Sequence, residues 1–307
     1  MHTINTIKDF TAAVHTALSA AFPERQIEPI NVTKNNDVHL TGMKIMSHNN
    51  KVAPAIYMEP YFNMLKSGNP LEEVIIQIVS SCRAALSCTN AGIGAEDLTD
   101  FAYVKDKICY KLVNKHMNSA LLTTVPHRDY LDLSIVYYIR LAQTDNGLAT
   151  LNVTDSLAHT WGVDEETLFS LASSNTPLLC RGIVLTMDNV LDKSVNSQTK
   201  TYDHFDFTCS ETHILPMYVA TNTNKTYGAS VILYAGLLDA AAEKLGSFYA
   251  LPSSVHEFMF IPDTFGNAEY IKQMVKEINA AEVPEEEVLS DNIYHYDSRT
   301  HELKIAV

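Results

Sequence analysis

The sequence predicts an α+β fold with a mixed, mainly antiparallel sheet and flanking helices. Residues 131–141, LDLSIVYYIRL, are β-branched, aromatic and nearly continuous in apolar character, which is typical of a central strand. Several other segments combine helical spacing of apolar residues with capping residues at their ends. Strands and helices follow one another without the regular βαβ order that builds a parallel sheet, so the α+β class is favoured.

The first part of the chain, residues 1–95, is predicted to form an N-terminal α+β segment. Its expected elements are a helix over 3–21, strands on both sides of a turn at 35–37, a strand over 51–58 and a helix over 67–86. The last helix has the clearest signal, because Asn69 can cap it, Pro70 takes its first position and Glu72 completes a capping box. The Gly-rich stretch 89–98 then breaks the helical pattern.

Residues 96–307 are predicted to form the main α+β segment, with one continuous domain over 1–307 as the alternative. The expected elements are strands over 107–114, 131–141 and 148–153, helices over 155–161 and 165–174, strands over 217–221 and 229–234, a helix over 236–246, strands over 248–254 and 257–262, a helix over 267–281 and a hairpin over 292–306. Thr154 and Asp164 can cap the first two of these helices. The polar, weakly periodic stretch 188–212 is predicted to be a surface excursion or lid.

The composition indicates a globular protein with an acidic surface. Of 307 residues, 46% are hydrophobic and 19% are charged, and 22 basic against 36 acidic residues give a formal charge of −14. This balance argues against non-specific binding to nucleic acid or an anionic membrane, which requires clustered Lys and Arg. An acidic mimic of nucleic acid would need arrayed carboxylates, yet the longest acidic run is Glu285–Glu287.

The cysteines and the N-terminus predict a cytoplasmic location. The five cysteines are widely spaced and form no Cys-x-x-Cys pair, which fits reduced, buried thiols and excludes the common closed zinc site. The N-terminus lacks the basic start and apolar run of a secretory signal. No stretch approaches the ~18 apolar residues of a membrane helix. We therefore expect no membrane association, and no motif predicts a metal or another cofactor.

Five blocks of the chain resemble a known family. They are KNNDVHLTGMKI, PAIYMEPYFNMLKSGNPLEEVI, VPHRDYLDLSIVYYIRL, NTNKTYGASVILYAGLLDAAAEKLGSFYALPSSVHEFMFIPD and YHYDSRTHEL. The blocks occur in the order expected of the uncharacterised bacterial family called domain of unknown function 5688, and the resemblance covers nearly the whole chain. The resemblance implies a bacterial, cytosolic, single-unit protein. It supplies no activity and no catalytic residues.

The first candidate site is PHRDYLD, residues 126–132, just before the central strand. His127, Asp129 and Asp132 carry groups that can bind a divalent metal or transfer protons. The stretch has no recognised metal-ligand spacing, however. The simpler interpretation is an ion pair between Arg128 and a carboxylate that braces the loop, with Asp132 at the strand entry.

The second candidate is LPSSVHEFMFIPD, residues 251–263. His256 and Glu257 follow two serines, which suggests nucleophilic catalysis, but a serine nucleophile needs a base within reach and no Gly-x-Ser-x-Gly elbow is present. The alternative is structural. In that interpretation the serines satisfy turn backbone, and His256 pairs locally with Glu257.

The third candidate is the polar turn NTNKTYG, residues 222–228. Asn224, Lys225 and Tyr227 can contact an anion or a peptide, so this turn is the best candidate for a recognition loop. The alternative is a plain hairpin turn with Gly228 at positive φ.

The leading functional hypothesis is a non-enzymatic macromolecule-binding or accessory protein, and the expected partner is a protein. An acidic surface suits a basic partner, and the apolar framework carries no recognised catalytic motif. The alternative is a hydrolase or metal-assisted enzyme using His127, Asp129 and Asp132, joined in space by His256 and Glu257. An enzyme should gather at least three of these side chains in one cleft, whereas a binding module should expose an apolar patch. The oligomeric state stays open.

Overall fold

The computed structural model describes residues 4–46, 55–88, 95–144, 147–186 and 217–306. The chain divides into two compact units, Met1–Tyr103 and Val104–Val307. Both combine helices with antiparallel sheets, which confirms the predicted α+β class. The predicted excursion over 188–212 lies outside the described residues.

The first unit is a three-stranded antiparallel sheet with helices packed on it. Its elements are α1 (Ile7–Ala21), β1 (Gln26–Thr33), β2 (His39–Met46), β3 (Ala55–Tyr57), α2 (Glu59–Lys66), α3 (Leu71–Cys88) and α4 (Ala95–Thr99), and α5 (Phe101–Val104) lies at its boundary. The strand order is β1-β2-β3. Helix α1 begins with a capping box, in which Thr6 Oγ1 accepts from the Asp9 amide and the Asp9 carboxylate accepts from the Thr6 amide. Its buried face contributes Phe10, Val14 and Leu18 to the core.

The second unit contains two antiparallel sheets in its described part. Its elements are β4 (Ile108–Asn114), α6 (Ser119–Leu122), β5 (His127–Tyr130), β6 (Leu133–Thr144), β7 (Gly147–Asn152), α7 (Asp155–Trp161), α8 (Glu165–Leu179), β8 (Gly182–Thr186), β9 (Tyr218–Asn222), α9 (Leu237–Leu245), β10 (Phe248–Ser254), β11 (Glu257–Pro262), α10 (Ala268–Glu282), β12 (Tyr294–Asp297) and β13 (Glu302–Ile305). One sheet has the order β4-β6-β5, with β7 also paired to β6. The other has the order β13-β12-β10-β11-β9-β8.

The predicted central strand is β6, and it begins two residues later than expected. Tyr130 pairs with Leu133, so Leu131 and Asp132 form the two-residue turn between β5 and β6. Residues 133–139 are all buried. Strand β4 pairs along this whole stretch on one side, whereas β5 pairs with residues 133–136 and β7 with residues 138 and 139 on the other. Strand β5 was missed by the sequence analysis, since four residues with alternating polar side chains give little periodic signal.

The strand predicted over 229–234 is wrong, because residues Gly228–Leu233 form a 3₁₀ helix. Strand β9 is paired on one edge to β8 and on the other to β11, so the segment that follows it cannot add to the sheet beside β9. Residues 229–232 are buried on all sides. A short, continuously apolar run does not distinguish a strand from a buried helical turn.

Candidate functional site

The first candidate site lies on the β5–β6 hairpin, and its acidic residues have separate structural partners. Asp132 accepts hydrogen bonds from Ser290 Oγ at 2.5 Å, Asn292 Nδ2 at 3.0 Å and the Tyr294 hydroxyl at 2.7 Å. Burial, and then the neighbouring Asp132 charge, raise the pKa of Tyr294. Asp132 therefore joins the hairpin to the start of β12 and the segment before it, and both of its carboxylate oxygens are occupied.

Asp129 belongs to an exposed ion pair. Lys115 Nζ lies 2.6 Å from Asp129 Oδ2. The hydrogen bond from Lys115 lowers the pKa of the Asp129 carboxyl below its ordinary value. This carboxylate is thus poorly suited to hold a proton near neutral pH.

Arg128 makes the carboxylate pair that the structural alternative predicted, with partners on α8. Its guanidinium binds both oxygens of Glu165, with Nη2 at 2.8 Å from Oε2, and reaches Glu166 Oε2 at 2.5 Å. The same guanidinium lies 4.0 Å from the ring centroid of Phe169. The Tyr137 hydroxyl also donates to Glu165. Sequence spacing could not identify these partners, because they lie 37 residues or more downstream.

His127 lies at the start of β5 with an exposed side chain. Its Nδ1 lies 3.0 Å from the Val125 carbonyl oxygen. A carbonyl only accepts, so Nδ1 carries the proton and Nε2 is the acceptor of the neutral ring. The three predicted residues of this hairpin therefore have three different environments.

The second and third candidate sites meet in space at His256 and Tyr227. The Tyr227 amide donates to His256 Nδ1 at 3.2 Å, and the two rings stack with centroids 6.3 Å apart. Because Nδ1 accepts, the neutral ring carries its proton on Nε2, which lies 3.6 Å from Glu287 Oε1. The expected local pairing of His256 with Glu257 is wrong, since both ring nitrogens face other groups.

The two serines and Glu257 have structural contacts. The Ser254 hydroxyl accepts from the His256 amide at 3.0 Å, as a turn serine was expected to do. The Ser253 hydroxyl instead donates to a side chain, Glu257 Oε1, at 3.3 Å, and not to the turn backbone as expected. With Nδ1 of His256 engaged by a backbone amide, the ring has no lone pair to activate either serine.

The turn over 222–228 is held by buried Asn222. Its Oδ1 accepts from the Asn224 amide and its Nδ2 donates to the Thr226 carbonyl, each at 2.9 Å. Lys225 and Tyr227 have φ of 51° and 53°, a left-handed conformation that is uncommon for residues other than glycine. The expected positive φ at Gly228 is wrong.

Gly228 is required by close packing instead. A Cβ at this position would lie 2.2 Å from Thr221 Oγ1 and 2.3 Å from the His256 carbonyl oxygen. Glycine therefore allows the turn to pack against the β10–β11 connection.

Tyr227 is also packed against Lys111 and Tyr138. The Lys111 ammonium lies 4.5 Å from the Tyr227 ring centroid, and the two tyrosine rings are 5.4 Å apart. Lys111 is buried in β4. A lone lysine in an apolar strand forms no motif, so the sequence does not indicate this contact. This cluster fixes the ring of Tyr227. Asn224 is partly buried and its Nδ2 donates to the Leu179 carbonyl at 3.3 Å, whereas Lys225 is exposed.

Helix α10 exposes a row of apolar side chains that the sequence analysis did not single out. Tyr270 is 69% exposed and Ile278 is 47% exposed, with half-buried Met274 between them. Ile271 and Val275 of the same helix are buried against the six-stranded sheet. We call Tyr270, Met274 and Ile278 the α10 row. Their i, i+4, i+8 spacing was readable in the sequence, but the pattern alone does not reveal which apolar residues a sheet will cover.

A family model described as a family of unknown function (DUF5688) matches residues 7–298 of the 307. This chain belongs to the DUF5688 family. No curated protein and no solved structure matches it.

Among the described residues of this DUF5688 member, no three His, Cys, Asp or Glu side chains come together in a way that could hold a metal ion. No described helix is long and apolar enough to cross a membrane. Cys82, Cys109 and Cys180 are buried free thiols.

Proposed function

We propose that this protein works by binding another protein through the α10 row. The observation that carries the proposal is the exposure of Tyr270 and Ile278 on a helix whose neighbouring face is buried. Exposed aromatic and aliphatic side chains in a contiguous row are typical of protein interfaces. The hydrolase alternative has less support, because His127, Asp132 and His256 each engage a different set of structural partners.

The geometry of an α-helix makes the row continuous. At about 100° per residue, Tyr270, Met274 and Ile278 fall within an arc of about 80°. The arc lies directly beside the side that holds Ile271 and Val275. A partner that covers the row would therefore extend an existing apolar surface and would not need to open the core.

The charges around the row favour a basic partner. At the same helical spacing, Glu277 lies about 60° from the centre of the row, whereas Lys272 and Lys276 lie about 160° away. The chain as a whole carries a formal charge of −14. The partner that fits is an amphipathic helix with apolar residues on one face and Lys or Arg beside them.

The cellular setting is part of the same proposal. Buried free thiols at Cys82, Cys109 and Cys180 support a reducing compartment such as the bacterial cytoplasm. The net negative charge supports a protein partner over nucleic acid.

The binding test uses a labelled model helix of Leu and Lys, about 18 residues or five turns long, and measures fluorescence anisotropy. Replacing Tyr270→Ser and Ile278→Ser together should weaken binding at least about tenfold, or ~1.4 kcal/mol. Leu178→Ser is the matched control, since Leu178 is 82% exposed on α8, outside the row.

Equal binding by the wild type and the double variant would contradict the proposal, as would equal weakening by the control. A second copy of the chain is the competing occupant. If the wild type sediments as a dimer and the double variant as a monomer, the row is a self-association surface and the proposed partner is wrong.

A further inference from the structure

A surface cavity of about 500 Å³ lies in the second unit beside β5. Its lining comes from α6, the start of β5, α7 and the start of α8, and comprises Leu122, Val125, Pro126, His127, Asp155, Ala158, His159, Val163 and Glu165. Its volume is in the range of small-molecule sites, and apolar side chains supply more than half of the lining. Asp155 and His159 are exposed, so the cavity opens to solvent.

The polar groups of the cavity include a fixed hydrogen-bond acceptor. The proton of the neutral His127 ring is held on Nδ1 by the Val125 carbonyl, which leaves the Nε2 lone pair for a ligand. The backbone thus sets the tautomer of a ring that lines the cavity.

The charge of the cavity is negative. The Glu165 carboxylate is offset by Arg128, which binds both of its oxygens. The Asp155 side chain lines the same cavity at the first turn of α7 and has no cationic side chain within ion-pair distance in the described part of the chain. A ligand therefore meets an unneutralised carboxylate and an imidazole acceptor among apolar lining side chains.

From this geometry we infer that the cavity binds a small organic monocation, an amine with a short apolar body. Its ammonium group donates to Asp155 and to His127 Nε2, and its apolar part covers Val125, Pro126 and Val163. This inference is independent of the function proposed for the α10 row, because the two use different residues of the unit.

The test is NMR of the ¹⁵N-labelled full chain, read at the histidine rings. Phenethylamine is the probe, and phenylacetate, of similar size and opposite charge, is the counter-probe. Before any probe is added, His127 should show the tautomer protonated on Nδ1. Phenethylamine should then shift the His127 and His159 rings saturably, and phenylacetate should not.

A conservative variant checks the ion pair. Asp155→Asn should weaken phenethylamine binding at least about tenfold, which is ~1.4 kcal/mol. The control His39→Gln removes a histidine of the first unit and should leave binding unchanged. The inference is overturned if neither probe shifts the rings, if phenylacetate binds as well as the amine, or if Asp155→Asn binds the amine like the wild type. The comparison of the two probes uses the wild type alone, so its result does not depend on whether a variant folds.

Discussion

At the scale of single residues, the side chains of the β5–β6 hairpin differ sharply in what they contribute. Asp132 accepts three hydrogen bonds from residues more than 150 positions away in the chain. The adjacent Leu131 has a φ of 57°, a conformation that is costly for a bulky L-residue. We attribute the persistence of this turn to the bonds of Asp132. Asp129, three residues earlier, has one exposed partner.

Asp132→Ala should therefore lower the free energy of unfolding by about 2–4 kcal/mol, because the buried Tyr294 and Ser290 hydroxyls lose their acceptor. Urea denaturation measures the change. Asp129→Asn is the matched control and should cost less than about 1 kcal/mol, as exposed ion pairs do. Equal losses of unfolding free energy in the two variants would mean that the hydrogen bonds of Asp132 contribute no more to stability than the exposed ion pair of Asp129.

The pKa of Asp129 gives a prediction of pH dependence. The pair with Lys115 lowers this pKa, so its contribution to stability is fully present above the ordinary aspartate pKa of about 3.9. The contribution is lost as the pH falls below that value and through the lower folded-state pKa. A carboxyl ¹³C titration should show Lys115→Met raising the pKa of Asp129, and an unchanged pKa would refute the assignment.

At the scale of elements, capped helices were predicted well and short buried segments were not. Helix α10 was expected over 267–281 and is Ala268–Glu282, because Asn267 caps it and the apolar spacing is regular. The sequence predicts a strand where the structure has the 3₁₀ helix after Tyr227, since the conformation of this segment depends on which strand edges are already paired. The contact of Tyr227 with His256 could not be predicted for the same reason. It depends on the pairing of β9 with β11, which local sequence does not indicate.

The turn before the 3₁₀ helix has no room for a side chain at Gly228. Gly228→Ala should destabilise the second unit severely, because one clashing atom is the backbone carbonyl oxygen of His256, 2.3 Å from the added Cβ. Gly266→Ala is the matched control, since its Cβ would lie 3.8 Å from Ile271 and its backbone is extended. Thermal unfolding followed by circular dichroism compares the two. Similar melting temperatures of the two variants would contradict this prediction, because they would show that the turn can shift to avoid the His256 carbonyl oxygen.

At the scale of the whole molecule, the chain combines two compact units, Met1–Tyr103 and Val104–Val307. The sequence predicts a domain boundary at residues 95/96, after the Gly-rich break, and we propose that the two units are separate domains. The first unit has its own core, which includes Phe10, and Phe248 is buried in the second.

Two domains predict two thermal transitions in calorimetry. Phe10→Ala should shift only the transition of the first unit, and Phe248→Ala only that of the second, each by removing about 3–5 kcal/mol of core stability. A single transition that both variants shift would argue for one cooperative domain.

The central claim is that the protein binds a basic amphipathic helix through the α10 row, and chemical-shift mapping tests it most directly. The ¹⁵N-labelled chain is titrated with the Leu and Lys model helix. The account predicts that the largest amide shifts fall on α10 around Tyr270, Met274 and Ile278 and disappear in the Tyr270→Ser, Ile278→Ser variant. Shifts concentrated on the β5–β6 hairpin or around Lys225, with α10 unaffected, would contradict it.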